Sequence, residues 1–173
     1  MAVNRGKKFE EVIRNSFEKV KNTTVVRLPD PTSGYLGIRN ISDFIVYHFP
    51  HQYFIECKTV HGNTLSIHSI PKPDKHGVLH GFYGDITDTQ WEGLFEKSKV
   101  KGVVAGIICW WVDKDKTVFI PIQELVAMRI VGMKSVRYDA IDDCEGDTTM
   151  IEIKGKKKRV FFEYNMEQFF KEV

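Results

Sequence analysis

Cysteine is scarce and odd in number: Cys57, Cys109 and Cys144 are the only three in 173 residues. Their wide spacing supports neither a disulfide framework nor a Cys-x2-Cys zinc module, so reduced core thiols are expected. No apolar run approaches the roughly 20 residues that span a bilayer. Met1-Ala2-Val3-Asn4-Arg5-Gly6-Lys7-Lys8 has no hydrophobic segment behind its charges. A cytoplasmic chain with no membrane partner is the expectation. A large charge of one sign is also missing: 25 Lys and Arg against 23 Asp and Glu leave +2. That near-balance does not by itself predict a polyanionic partner. There is no internal repeat and no low-complexity segment.

What is present, 42% hydrophobic and 28% charged side chains, fits one domain with an ample core over residues 1–173. Phe9, Val12, Ile13, Phe17 and Val20 recur at helical spacing, which predicts an amphipathic helix over about 6–20. Thr23 to Leu28 reads as a strand, broken by Pro29-Asp30-Pro31-Thr32-Ser33-Gly34. Asp43 to His48 and Gln52 to Thr59 read as a hairpin turning at Phe49-Pro50-His51. Residues 61–85 lack sustained periodicity and read as a long loop. Thr87, Asp88 and Gln90 mark a helix start running to about Lys99. Gly102 to Trp111 is apolar enough to be the sheet's buried centre, followed by a strand Thr117 to Ile120 and a short helix from Pro121 through Ile130. Thr148 to Lys154 and Arg159 to Tyr164 read as a hairpin around a basic tip, and Met166 to Lys171 as a last helix. The fold class expected is α/β, a mixed β-sheet flanked by α-helices.

Ser42-Asp43-Phe44 and Ile55-Glu56-Cys57-Lys58 carry the most informative chemistry. Alternation along a strand puts Glu56 and Lys58 on one face, with Ile55 and Cys57 on the other. Folding near Pro50 and His51 sets Asp43 across from residues 56–58, where opposed Cβ atoms lie about 4.5–5.5 Å apart. Two carboxylates that close repel, and a raised pKa or a bound cation relieves them. Oxygen ligands with water in the remaining positions suit Mg²⁺ or Mn²⁺. Such an ion polarises a phosphoryl oxygen and neutralises a leaving group, while Lys58 orients the attacking water or stabilises charge on the phosphate. The bland alternative is a solvated cross-strand ion pair.

Basic residues cluster at Arg5-Gly6-Lys7-Lys8 and at Lys154-Gly155-Lys156-Lys157-Lys158-Arg159. Either run can contact nucleic acid, and the second can equally be a solvated hairpin tip. Of the six histidines, 48, 51, 61, 68, 76 and 80, His76 and His80 alone stand at His-x3-His spacing, and no Cys-x2-Cys pair accompanies them, so exposed or hydrogen-bonding imidazoles are expected rather than zinc ligands. His61 and His68, which follow Asp43, Glu56 and Lys58 in the chain, are the histidines that could serve as a general base in a variant mechanism. Trp91, Trp110 and Trp111 read as core material, and Tyr35 and Phe82, in polar loops, as possible base-stacking groups.

Taken together these residues resemble the RecU-type Holliday-junction resolvases of the PD-(D/E)xK nuclease superfamily. The resemblance is carried by Asn4-Arg5-Gly6-Lys7 with Phe9-Glu10-Glu11, Ser42-Asp43 ahead of Glu56-Cys57-Lys58, Gln90, the apolar strand ending in Ile107-Ile108, and the unit Val118 to Ile130. It covers roughly residues 4–130. It implies a restriction-endonuclease-like fold, with a nuclease core over about 4–130 and a C-terminal hairpin and helix over about 131–173. By that resemblance Asp43, Glu56 and the backbone carbonyl of Cys57 bind Mg²⁺ (or Mn²⁺), and Lys58 acts on water or phosphate. Glu10 supplies a first-helix carboxylate that holds a water at the metal. Gln90 is a further active-site group or only the capping partner of Thr87. Arg5, Lys7, Lys8 and Arg39 would touch DNA.

The same resemblance implies a metal-dependent endonuclease acting on branched DNA in recombination, repair or phage DNA processing, as a homodimer. The chain departs from the family where a long basic stalk is expected, since only Pro29 to Ile41 is available. The segment from His61 to Asp85 is longer than in the family and either contacts DNA or covers the site. A nuclease of restriction-like or flap specificity, and a non-catalytic DNA-binding module, are the alternatives.

Overall fold

The computed structural model describes residues 4–29, 40–68, 70–73, 76, 79–143, 148–159 and 161–173. Helix α1 (Arg5–Glu18) starts where Asn4 Oδ1 accepts the Lys7 N–H at 3.3 Å, and it buries Phe9, Ile13 and Phe17. Its apolar stripe is therefore the core-facing side. Strands β1 (Thr23–Arg27), β2 (Phe44–His48) and β3 (His51–Val60) form an antiparallel meander. The β2–β3 turn is Phe49-Pro50 alone, because His51 already pairs with His48.

Among the described residues of the 61–85 segment, three strands stand where the pattern predicts a loop. They are β4 (Thr64–Ser66), β5 (Ile70–Pro73) and β6 (Leu79–Tyr83), with β5 and β6 paired to each other. Helix α2 (Asp88–Ser98) follows, then β7 (Val103–Trp111), β8 (Lys116–Pro121), α3 (Ile122–Ile130), β9 (Ser135–Arg137) and the short α4 (Ala140–Asp143). β4 pairs with β9, far along the chain. The last elements are β10 (Ile151–Glu152), β11 (Gly155–Lys157), β12 (Phe162–Tyr164) and α5 (Met166–Glu172).

The central sheet is mixed, in the order β1-β2-β3-β7-β8-β10. Only β3 and β7 pair in parallel, as α2 carries the chain back between them. β7 is buried from Ala105 to Trp111, as its apolar composition requires for a strand covered on both faces. One face packs Phe44, Ile55 and Phe119 against α1 and α5 through Phe9, Phe17 and Phe169. The other packs Ile107 and Ile120 against Leu94 of α2 and Leu125 of α3. Each such side chain contributes about 1.5–3 kcal/mol when fully buried. Cys57 and Cys109 are buried free thiols, and Cys144 lies outside the described residues. Among the described residues no helix is long and apolar enough to cross a membrane.

The C-terminal hairpin differs from expectation. Residues Thr148 to Lys154 do not pair with Arg159 to Tyr164. β10 instead adds to the sheet edge against β8, with Ile151 opposite Phe119, and β12 pairs with β11. The basic run is thus partly strand, and it is partly neutralised: Lys157 pairs with Asp115, and Lys158 with Glu163 at 3.0 Å.

Candidate active site

Asp43 stands immediately before β2 and prolongs its ladders. Its N–H donates to the Ile55 carbonyl at 3.0 Å, and its carbonyl accepts the Leu28 N–H at 2.8 Å. Phe44 lies opposite Ile55, and the Asp43 N–H meets that same Ile55 carbonyl, so Asp43 stands at the end of the ladder beside Glu56 and Cys57. Ile55 and Cys57 turn into the core beneath α1, so alternation sends Glu56 and Lys58 toward α2. Here the two carboxylates and the ammonium converge. Asp43 Oδ2 accepts the Cys57 N–H at 2.7 Å. Glu56, only 4% exposed, accepts at Oε1 from Lys58 Nζ at 2.9 Å and from Gln90 Nε2 at 2.5 Å.

Gln90 occupies both of the positions open to it. It closes the capping box of α2, its Oε1 accepting the Thr87 N–H at 3.1 Å while Thr87 Oγ1 accepts the Gln90 N–H at 3.3 Å. The same Oε1 accepts from Lys58 Nζ at 3.2 Å. Helix start and site are therefore one hydrogen-bonded unit. Gly93 lies about one turn beyond Gln90, where a Cβ would come within 2.2 Å of Ile41 Cγ2. The missing side chain lets α2 close on the segment that leads into Asp43.

Burial sets the electrostatics. Loss of solvent raises the Asp43 carboxyl to about 6, against the Cys57 N–H that favours its charge and with added repulsion from Glu10. The Glu56 carboxyl rises to about 7, again chiefly through burial; Lys58 opposes the rise, and Asp43 and Glu10 add to it. Burial pushes the Cys57 thiol well up, with the three carboxylates adding to it, so it is held protonated. Glu10 is felt by the pair but is held elsewhere: its Oε2 accepts from Arg27 Nη2 at 3.0 Å.

Among the described residues no three His, Cys, Asp or Glu side chains form a group able to hold a metal ion. Side chains alone would therefore supply only the Asp43–Glu56 pair. Each carboxylate commits one oxygen to the bonds above, Oδ2 in Asp43 and Oε1 in Glu56, and the second oxygen is the one a cation would take. The Cys57 carbonyl leaves the strand on the same side as its N–H, beyond the last β2 rung at Ile55. Two hard carboxylates, a carbonyl and several waters match what Mg²⁺ accepts. The donor set fits.

Of the cations expected near DNA, Arg5 lies at the α1 N-terminus, with Nη1 3.4 Å from His61 Nε2. His61 Nδ1 is in turn 3.3 Å from Asp113 Oδ1, and the Gly62 N–H donates to Asp113 Oδ2 at 2.7 Å. Asp113 carries no sequence signal beyond its place in an Asp-Lys-Asp-Lys turn. Lys8 pairs with Glu11 at 2.7 Å. Lys7 lines an open cleft of about 390 Å³ with Glu10, Glu11, Arg14 and Arg27. The first turn of α1 holds no acid, so Arg5, Lys7 and Lys8 sit against the helix macrodipole, an arrangement that an approaching anion would relieve. Arg39 and Tyr35 lie outside the described residues, as does the side chain of Phe82.

Thr87→Ala and Gln90→Ala both break the capping box and are expected to cost about 0.5–2 kcal/mol each. Only Gln90→Ala also strips a donor from Glu56, so if the carboxylate pair takes Mn²⁺, it alone is expected to raise the pH at which Mn²⁺ stabilises the protein. Melting curves with and without Mn²⁺ from pH 5.5 to 8.5 check this. Equal pH midpoints in the two variants would reduce Gln90 to a helix cap. No family model matches the chain, and no curated protein matches it.

Proposed function

We propose that the chain is a divalent-metal-dependent endodeoxyribonuclease that hydrolyses phosphodiester bonds, with branched DNA as its preferred substrate, on a restriction-endonuclease-like fold. The observation that carries this reading is the meeting of half-buried Asp43 with buried Glu56, two carboxylates of raised proton affinity, with Lys58 2.9 Å from Glu56. A solvated surface ion pair has no reason to be that deeply desolvated.

Asp43, Glu56 and the Cys57 carbonyl would hold Mg²⁺ or Mn²⁺. When bound, such an ion polarises the phosphoryl oxygen and offsets charge on the leaving group. Lys58 donates to the attacking water or to a non-bridging phosphate oxygen, where negative charge develops. Gln90 fixes the direction of Lys58 and Glu56 through its two bonds. Glu10 has its Oε2 committed to Arg27, and its other oxygen would hold a water beside a bound ion. Arg5, Lys7 and Lys8 meet the DNA backbone, and symmetric cuts call for a homodimer with two such sites.

The test is cleavage of a four-way junction, a flap and a linear duplex with Mg²⁺, Mn²⁺ or EDTA. Metal-dependent products, fastest on the junction, are expected. A preference for flap or linear DNA would move the chain to another nuclease specificity, in keeping with the short 29–41 segment. If neither metal yields products from any DNA at high enzyme concentration, a DNA-binding module replaces the enzyme.

A further inference from the structure

Three side chains at the end of α3 break the rule that apolar groups are covered. Ile130 is 80% exposed, Val131 76% and Met133 41%. Two adjacent side chains this exposed, with Met133 beside them, leave an uncovered apolar point that a partner can cover. It is not a frayed helix end. Met133 N–H donates to Met128 O at 2.9 Å and Gly132 N–H to Arg129 O at 3.1 Å, with Gly132 at φ 86°. These are the paired bonds of a Schellman motif with its glycine in the left-handed region. Ile67 N–H then donates to Lys134 O at 3.0 Å, and β9 is paired to β4. That motif gives Met133 a packing role against the last turn. Ile130 and Val131 stay largely exposed on this hydrogen-bonded turn.

The tip is tied to the candidate site. The Arg129 guanidinium stacks over the Trp91 ring at 4.4 Å, and Trp91 follows Gln90 on α2. The residues flanking the tip are basic: Arg129 and Lys134 stand on either side of it and no carboxylate lies between Glu124 and Asp139, while Arg137 farther along is paired with Asp139 at 2.6 Å. An apolar point with basic shoulders fits a polyanion that has apolar faces to offer, and it repels a basic or fully polar partner.

We propose that the Ile130-Val131 tip is a wedge that inserts at a base step of the DNA and unstacks it beside the cut. This rests on the nuclease reading and adds the way the substrate is opened. The wedge enters between bases while Arg129 and Lys134 meet the flanking phosphates, so substrates already unstacked need it least.

The experiment uses Ile130→Gln/Val131→Gln in the full chain, because both residues are exposed and the melting temperature is expected to hold. DNA carrying 2-aminopurine reports unstacking by its fluorescence. Wild type raises that fluorescence on binding, and the double variant does not. Cleavage of a fully paired duplex falls by about tenfold or more, while a substrate with an unpaired base at the step loses less than about threefold. Unchanged fluorescence and cleavage in the variant, with wild type active, would overturn the wedge alone. No binding or cleavage by wild type on any DNA would overturn the nuclease reading first, and the wedge with it. A variant that turns a dimer into a monomer by sedimentation would make the tip a contact between copies, which also overturns it.

Discussion

Asp43→Asn is expected to abolish metal-dependent cleavage and at the same time make the protein more stable at pH 8. In the folded chain Asp43 and Glu56 hold their protons up to about 6 and about 7, well above the roughly 3.9 and 4.3 of an unfolded chain. Between those limits the native state binds more protons than the unfolded one, so stability falls as pH rises from about 4 through 7. Above pH 7 the whole cost is present. Replacing Asp43 by a neutral isostere removes its share, of the order of 2 kcal/mol. The Asn Oδ1 can still accept the Cys57 N–H that Asp43 accepts at 2.7 Å. For a chain of this length that corresponds to a melting temperature higher by about 4–8 °C at pH 8, shrinking toward zero near pH 4. On the proposed metal site, Mg²⁺ is expected to reverse the ranking, because it would stabilise the wild type and find one carboxylate missing in the variant. Melting curves from pH 4 to 8.5, with and without Mg²⁺, read all of this. A variant less stable than wild type at pH 8 would mean that Asp43 is held by partners and is not strained.

This strain was legible in the residues to a definite depth. The alternation of Ile55, Glu56, Cys57 and Lys58 could be read because one face of β3 packs under α1 and the other faces α2. The turn at Pro50 then brings Asp43 alongside residues 55–57, where it bonds Ile55 and Cys57. The capping half of Gln90 was equally plain from Thr87-x-x-Gln90. Its other half depends on how close α2 stands to β3, and that distance is set by Gly93 against Ile41, a pairing no local pattern encodes. Glu10 could be placed on α1, but its bond to Arg27 depends on the rotation of α1 over β1. Residues 61–85 looked structureless because β4 and β5 are only three and four residues long. β4, moreover, finds its partner in β9. The C-terminal error has the same origin. Thr148 to Lys154 has strand chemistry, and periodicity cannot say whether such a segment pairs with its neighbour or with the open edge of β8.

Lys58→Ala is expected to show the second large effect, and its pH dependence separates two roles of the ammonium. Lys58 lies 2.9 Å from Glu56 Oε1 and is the principal influence opposing the rise of the Glu56 carboxyl. Without it Glu56 holds its proton above about 7, so at neutral pH the variant binds Mn²⁺ more weakly than wild type. Raising the pH to 9 deprotonates Glu56 and restores that binding, since a metal ligand must be charged. Cleavage behaves differently. If Lys58 donates to the phosphate or to the attacking water, its loss costs about 10²–10³ in rate, whether or not the ion is bound. The variant should therefore regain Mn²⁺-induced stabilisation at pH 9 and remain inactive there. Calorimetric Mn²⁺ titration and single-turnover cleavage, each at pH 7 and 9, are the paired measurements. Wild-type rates at pH 9 would confine Lys58 to keeping Glu56 ionised. If Mn²⁺ affinity stays low at pH 9, the ammonium is needed to hold the geometry of the carboxylate pair itself.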